Sequence, residues 1–182
     1  WYTYKIDVDG RYRMLYRVWE VPLTCGEVDF PSIQVYRVDP PSPATVGYVK
    51  DYRGMLCLSP EDVDARASIM DLAYRSEAGV FNPNYFTHGT YKVGYTFLLH
   101  PPIEYDDTVS HLNLKLASNH IPYKNVTIVI EGADQVEAVY AHPPTLIKTE
   151  MGKQIIIYGE SGKDQLLEVE LLLKKDALKE VR

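Results

Sequence analysis

Imidazoles and carboxylates can hold a metal or move a proton, and one stretch gathers both: HGTYKVGYTFLLHPPIEYDD, His88 to Asp107. Between the two histidines, Tyr91, Val93, Tyr95, Phe97 and Leu99 alternate with other residues, the period of a strand. A strand rises about 3.3 Å per residue, so His88 and His100 stand near its opposite ends, too far apart to share one ion. Glu104, Asp106 and Asp107 are oxygen donors suited to Ca²⁺. They lack the spaced ligand pattern of a dedicated calcium loop and read as a solvated acidic loop, so no metal is expected there. His111, His120 and His142 share no i, i+2 or i, i+4 spacing and read as surface or internally satisfied histidines. The chain carries no Gly-x-Ser-x-Gly elbow, no His-Glu-x-x-His and no phosphate-binding glycine loop. Neither an enzyme nor a cofactor is expected.

Recognition is the alternative to chemistry. Tyrosine occurs 15 times, and its flat apolar body with a polar tip suits binding surfaces. Most copies fall on the apolar phase of strands and read as core. Tyr85, Phe86, Tyr105 and Tyr123 fall outside that phase and are the candidate binding rim. Cys25 and Cys57 fit a disulfide in an oxidising compartment and fit equally two unrelated buried thiols. Asn125-Val126-Thr127 is a glycosylation sequon, which matters only for an exported chain.

The elements that must position these residues are mostly strands. Tyr2, Tyr4, Ile6 and Val8 share one face, and Tyr12, Met14, Tyr16 and Val18 another, with Arg11, Arg13 and Arg17 pointing the opposite way. A three-residue loop with Gly10 in the left-handed position sets Ile6 against Tyr12 and Tyr4 against Met14 in a hairpin. Strands follow at 33–38, 46–52 and 55–58, separated by the loop Asp39-Pro-Pro-Ser-Pro43, whose prolines remove ladder donors. Ser59-Pro60-Glu61-Asp62 reads as a helix start with Ser59 as cap. Residues 65–74 could continue that helix or alternate as a strand with Met70, Leu72 and Tyr74 inward, and one short helical turn near Ser59–Asp64 followed by a strand is the preferred reading. Beyond Gly89 come alternating runs at Leu112–Leu116, Val126–Ile130, Val136–Tyr140, Ile155–Ile157 and Leu167–Leu173. Short strands at this spacing predict an all-β chain, an antiparallel immunoglobulin-like β-sandwich over residues 1–174. Residues 1–60 are a candidate N-terminal subdomain, and 175–182 a charged tail or tether.

With 182 residues, 46 % of them hydrophobic, the chain can build a substantial core. A net charge of -6 gives no overall pull toward nucleic acid, and no apolar run is long enough to span a bilayer. The first residue is Trp1 and not Met, as expected of a processed or excised domain.

Three segments resemble the DUF2207 family of predicted membrane proteins. They are YKIDVDGRYRMLYRVWEVPL at Tyr4–Leu23, GTYKVGYTF at Gly89–Phe97, and IEYDDTVSHLNLKLASNHIPYKNVTIVI at Ile103–Ile130. The resemblance lies in an opening hairpin, a glycine-led strand, and an acidic loop followed by a strand, a proline-ended link and a Val/Ile-rich strand. It implies an exported β-rich domain, preceded by a signal peptide and followed by transmembrane helices, in a prokaryotic protein anchored in the cell membrane. It carries no catalytic residues. The expected role is an extracytoplasmic interaction or structural module for an unknown protein or glycan, with no nucleic-acid partner. A carbohydrate-binding module is the alternative, and a hydrolase with a loop-built site ranks below both.

Overall fold

The computed structural model describes residues 1–26, 32–100, 103–175 and 177, and the side chains of these except Tyr36 and Tyr105. Its contacts divide into two compact units, Trp1–His100 and Pro101–Arg182. No helix among the described residues is long and apolar enough to cross a membrane.

In the first unit the strands are β1 (Tyr2–Ile6), β2 (Met14–Val18), β3 (Ser32–Asp39), β4 (Val46–Lys50), β5 (Leu56–Ser59), β6 (Glu77–Phe81) and β7 (Gly89–Leu98), with helix α1 (Val63–Leu72) before β6. They form two antiparallel sheets of order β1-β7-β3 and β2-β6-β4-β5. Alternate residues of the two inner faces, among them Ile6, Leu15, Ile33, Val49, Val80 and Val93, fill one core. The four-stranded sheet also buries its other face. There Val46, Tyr48, Leu56 and Phe81 pack against Ala65 and Ile69, one turn apart on α1. Burying Ile69 completely contributes about 2 kcal/mol.

Several local expectations change here, the first because the middle of this sheet is covered on both faces. β6 is buried at every residue and shows no alternation, so it escaped notice in the sequence. Strand β2 takes the opposite phase from the one expected. Leu15 enters the sandwich core, Tyr16 and Val18 are exposed, and Met14 packs on the helix side. Arg13 and Arg17 are not simply solvated; their guanidinium groups lie over the rings of Phe81 and Tyr2 at 4.7 and 5.1 Å. The expected β1–β2 hairpin does not form. Gly10 does have positive φ, but β1 pairs with β7 and β2 with β6, so the turn crosses between sheets. Of the two readings of residues 65–74, the helical one holds as far as Leu72, the end of α1, and the helix begins later than Ser59. Asp62 is its cap, accepting from the Ala65 amide at 2.9 Å, and Ala65 and Ile69 supply the buried stripe that holds ten residues helical.

Gly79 lies where β2, β4 and β6 meet. A Cβ there would stand 2.6 Å from the Leu15 carbonyl oxygen and 2.8 Å from the Tyr48 hydroxyl. Gly79→Ala is expected to cost about 1–3 kcal/mol through overpacking, read as a lowered urea midpoint. An unchanged midpoint would show that the sheet yields freely at this point.

The second unit contains β8 (Ile103–Tyr105), β9 (Val109–Ala117), β10 (Tyr123–Glu131), β11 (Val136–His142), β12 (Ile147–Met151), β13 (Gln154–Ser161) and β14 (Leu167–Lys174). The sheets are β10-β13-β12 and β11-β14-β9-β8, all pairs antiparallel. Ile155 and Ile157 of one sheet meet Val169, Leu171 and Leu173 of the other, so this unit is a sandwich with a single core layer. The alternation read from the sequence of β9 and β14 holds residue for residue: Leu167, Val169, Leu171 and Leu173 are buried, while Glu168 and Glu170 face outward. The all-β expectation therefore stands for the chain. Of the expected tail, only residues 175 and 177 lie within the described residues.

Candidate functional site

The outer face of β11-β14-β9-β8 carries most of the second unit's imidazoles. Strand β14 lies between β11 and β9, so Glu168 and Glu170 have neighbours on both sides. His142 is the register partner of Glu168, and Tyr140 of Glu170, which puts His142 diagonal to Glu170. On the other flank Glu170 is opposite Asn113, with His111 one diagonal step away, and His111 is opposite Glu104 on β8. Diagonal neighbours on one face are within reach of long side chains. His142 Nε2 lies 3.4 Å from Glu170 Oε1, and His111 Nε2 lies 3.5 Å from Glu170 Oε2. His111 Nδ1 lies 3.3 Å from Glu104 Oε2. One ligand atom each from His142, Glu168 and Glu170 falls within 4.8 Å of the other two. A wide-mouthed cleft of about 540 Å³ opens beside them, lined in part by His142, Glu170, Tyr140 and Lys148.

Other residues singled out in the sequence do not converge in this way. His88 and His100 bracket β7, and both are exposed. The His88 amide donates to the Asp9 carboxylate. Asp106 Oδ1 accepts from the amides of Thr108 and Val109 and from the Thr108 hydroxyl, closing the turn into β9. The Val109 amide first, and then the two Thr108 donors, hold its carboxyl below the usual range. Glu104 faces His111, and Asp107 is exposed in the turn. His120 is an internally satisfied histidine, with Nδ1 2.7 Å from the Ile121 carbonyl oxygen and Nε2 2.8 Å from that of Gln165.

The candidate aromatic rim divides. Phe86 is 2 % exposed and belongs to the core, edge-on to Tyr91, so it cannot meet a ligand. Tyr123 is half-buried and stacked on His120 at 4.2 Å. Tyr85 is exposed, with Arg13 over its ring at 5.3 Å. The Tyr105 side chain lies outside the described residues. Asn125 is exposed beside the bulge in β10 between Tyr123 and Val126. Cys25 and Cys57 are joined as a disulfide, their Cα atoms 6.0 Å apart, which ties the loop after Thr24 to the edge strand β5.

Two buried carboxylates had no sequence signal. Asp51 closes the β4–β5 turn. Burial alone would raise its carboxyl, but donors from Met55 and Arg53 outweigh that and lower it. Glu77 is fully buried on the helix side of β6. It accepts the Tyr48 hydroxyl and, at 3.0 Å, the Tyr74 amide. Desolvation raises Glu77, and the Tyr48 and Tyr74 donors and Lys50 offset it only in part.

These features define an all-β sandwich protein with its polar chemistry on an open sheet face. The N-terminal domain of the DUF2207 family, described as a predicted membrane protein, matches residues 2–173, and the chain belongs to that family. Comparison with curated proteins and with solved structures found no match.

Proposed function

We propose that this chain is the extracytoplasmic domain of a membrane-anchored prokaryotic protein and serves there as a non-enzymatic interaction module. The Cys25–Cys57 disulfide carries the reading, because such bonds persist in oxidising compartments and are rare in the cytosol. Membership of a membrane-protein family supports the anchor. Among the described residues each unit has seven strands, divided three and four, which supports an immunoglobulin-like architecture. The contact surface fits strand addition at β12, which ends its sheet and is exposed throughout, with Ile147 and Met151 uncovered. Glycan binding has weaker support, since of the aromatic candidates with described side chains only Tyr85 is exposed and Phe86 is core.

Thiol labelling of the full-length protein in intact cells tests the location. Cys25 and Cys57 should resist a membrane-impermeant maleimide until a reductant is added, and external protease should then cleave the domain without lysis. Free thiols, or full protection from protease until the membrane is breached, would refute the extracytoplasmic placement.

A further inference from the structure

We propose that His142, Glu168 and Glu170 form a binding site for a divalent d-block ion, Zn²⁺ by preference, with His111 and Glu104 orienting Glu170 from behind. The His142–Glu170 separation suits shared ligation of an ion better than it suits a tight ion pair. A charge-assisted N–H···O bond is about 2.7–2.9 Å long. Here His142 Nε2 and Glu170 Oε1 are 3.4 Å apart, too far for a good bond of that kind. Two ligands each about 2.0–2.1 Å from a shared tetrahedral centre stand roughly 3.4 Å from one another. Glu168 brings its own oxygen within 4.8 Å of both, completing a triad.

The supporting groups are also in place. Glu170 Oε1 faces His142 while Oε2 faces His111 Nε2, and His111 Nδ1 faces Glu104. Ligating carboxylates in metal sites are held by outer-shell polar partners, and His111, backed by Glu104, stands in that place beside Glu170. One imidazole with two carboxylates favours Zn²⁺ or a neighbouring first-row ion, since Ca²⁺ takes six to eight oxygens. His142 and Glu170 also line the cleft beside Tyr140 and Lys148, where water or an outside ligand has access to the remaining coordination positions. Lys115, the register partner of Glu168 on β9, is a cation placed to compete for that carboxylate, as suits an exchangeable site.

Equilibrium dialysis of the whole chain against Zn²⁺ tests the proposal, with Ca²⁺ as the comparison ion. The expected result is saturable uptake of one Zn²⁺ per chain, no Ca²⁺ uptake at the same concentration, and a melting temperature raised by Zn²⁺ alone. Affinity should fall by more than about tenfold in His142→Ala and Glu170→Gln, and by about tenfold in His111→Ala. His88→Ala and His100→Ala, on the exposed ends of β7, should bind as the parent does. Glu168→Gln, which keeps the side chain's shape, guards against loss of fold in the histidine variants. No uptake by the folded parent, or uptake unaltered in His142→Ala and Glu170→Gln, would overturn the assignment.

Discussion

Glu77→Ala is expected to lower stability by about 2–4 kcal/mol, seen as a fall in the urea midpoint with the slope unchanged. The substitution strands two donors at once, the buried Tyr48 hydroxyl and the half-buried Tyr74 amide. A buried donor left without an acceptor loses its full solvation, which exceeds the net value of the bond itself. Glu77→Gln keeps one acceptor oxygen and should fall between alanine and the parent. The two variants also differ from the parent in pH response. Burial first, only partly countered by its donors, holds the Glu77 carboxyl above its ordinary 4.5 in the folded chain. The native state then binds the extra proton, so this group favours folding below about pH 4.5. That contribution is lost as pH rises through the elevated folded value. Glu77→Gln removes the titration and should flatten this part of the stability curve. A parent whose stability climbs steeply across that window, and a glutamine variant that climbs with it, would show that Glu77 is not the group responsible.

Opening the Cys25–Cys57 bond has the other large effect. The cysteines are 32 residues apart in sequence. Closing a loop of that length stabilises by about 3–4 kcal/mol in the chain-entropy picture. Cys57→Ser, and equally the parent under reductant, should lose that amount in the same urea titration. The loss should be additive with Glu77→Ala if the two sites share no partner. A parent indifferent to reductant would show that the bond adds nothing to the fold. The bond holds β5, the edge of the four-stranded sheet, to the segment after Thr24, so reduction should also speed proteolysis there.

Period-two patterning tells the truth where a sheet has one dry face and one wet one. In β14 the residues Leu167 to Leu173 and the glutamates between them take the sides that the sequence assigns. The same holds for β9, which puts His111 on the outside with Asn113 and Lys115. The rule loses its hold on the sheet of β2, β4, β5 and β6, where α1 covers the far side. There Met14 and Leu15 both find apolar surroundings, and neither phase of β2 identifies the core. Glu-Ala-Gly-Val-Phe in β6 looks like no strand at all, because each of its residues is buried. Helix α1 was hidden for a related reason. Its buried residues are Ala65 and Ile69, a stripe too narrow to distinguish from alternation over so short a span.

The His/Glu cluster shows the same division more sharply. The outward phase of β9 and β14 already marks His111, Glu168 and Glu170 as surface residues, and that follows from side chains alternating along each strand. The nearness of His111 and His142 to the two oxygens of one carboxylate comes from strand order. Strand β14 had to settle between β11 and β9, with the register that puts His142 beside Glu168.

What the sequence by itself determined is therefore the β class, the run of strands and, in the second unit, which residues look outward, since these depend on neighbours along the chain. Which strands lie side by side, that α1 roofs a sheet, and that Glu77 is buried beside Tyr48 were decided by tertiary packing alone. Apolar surface can be hidden by many pairings, and only the assembled core selects the one that leaves few polar groups unmatched.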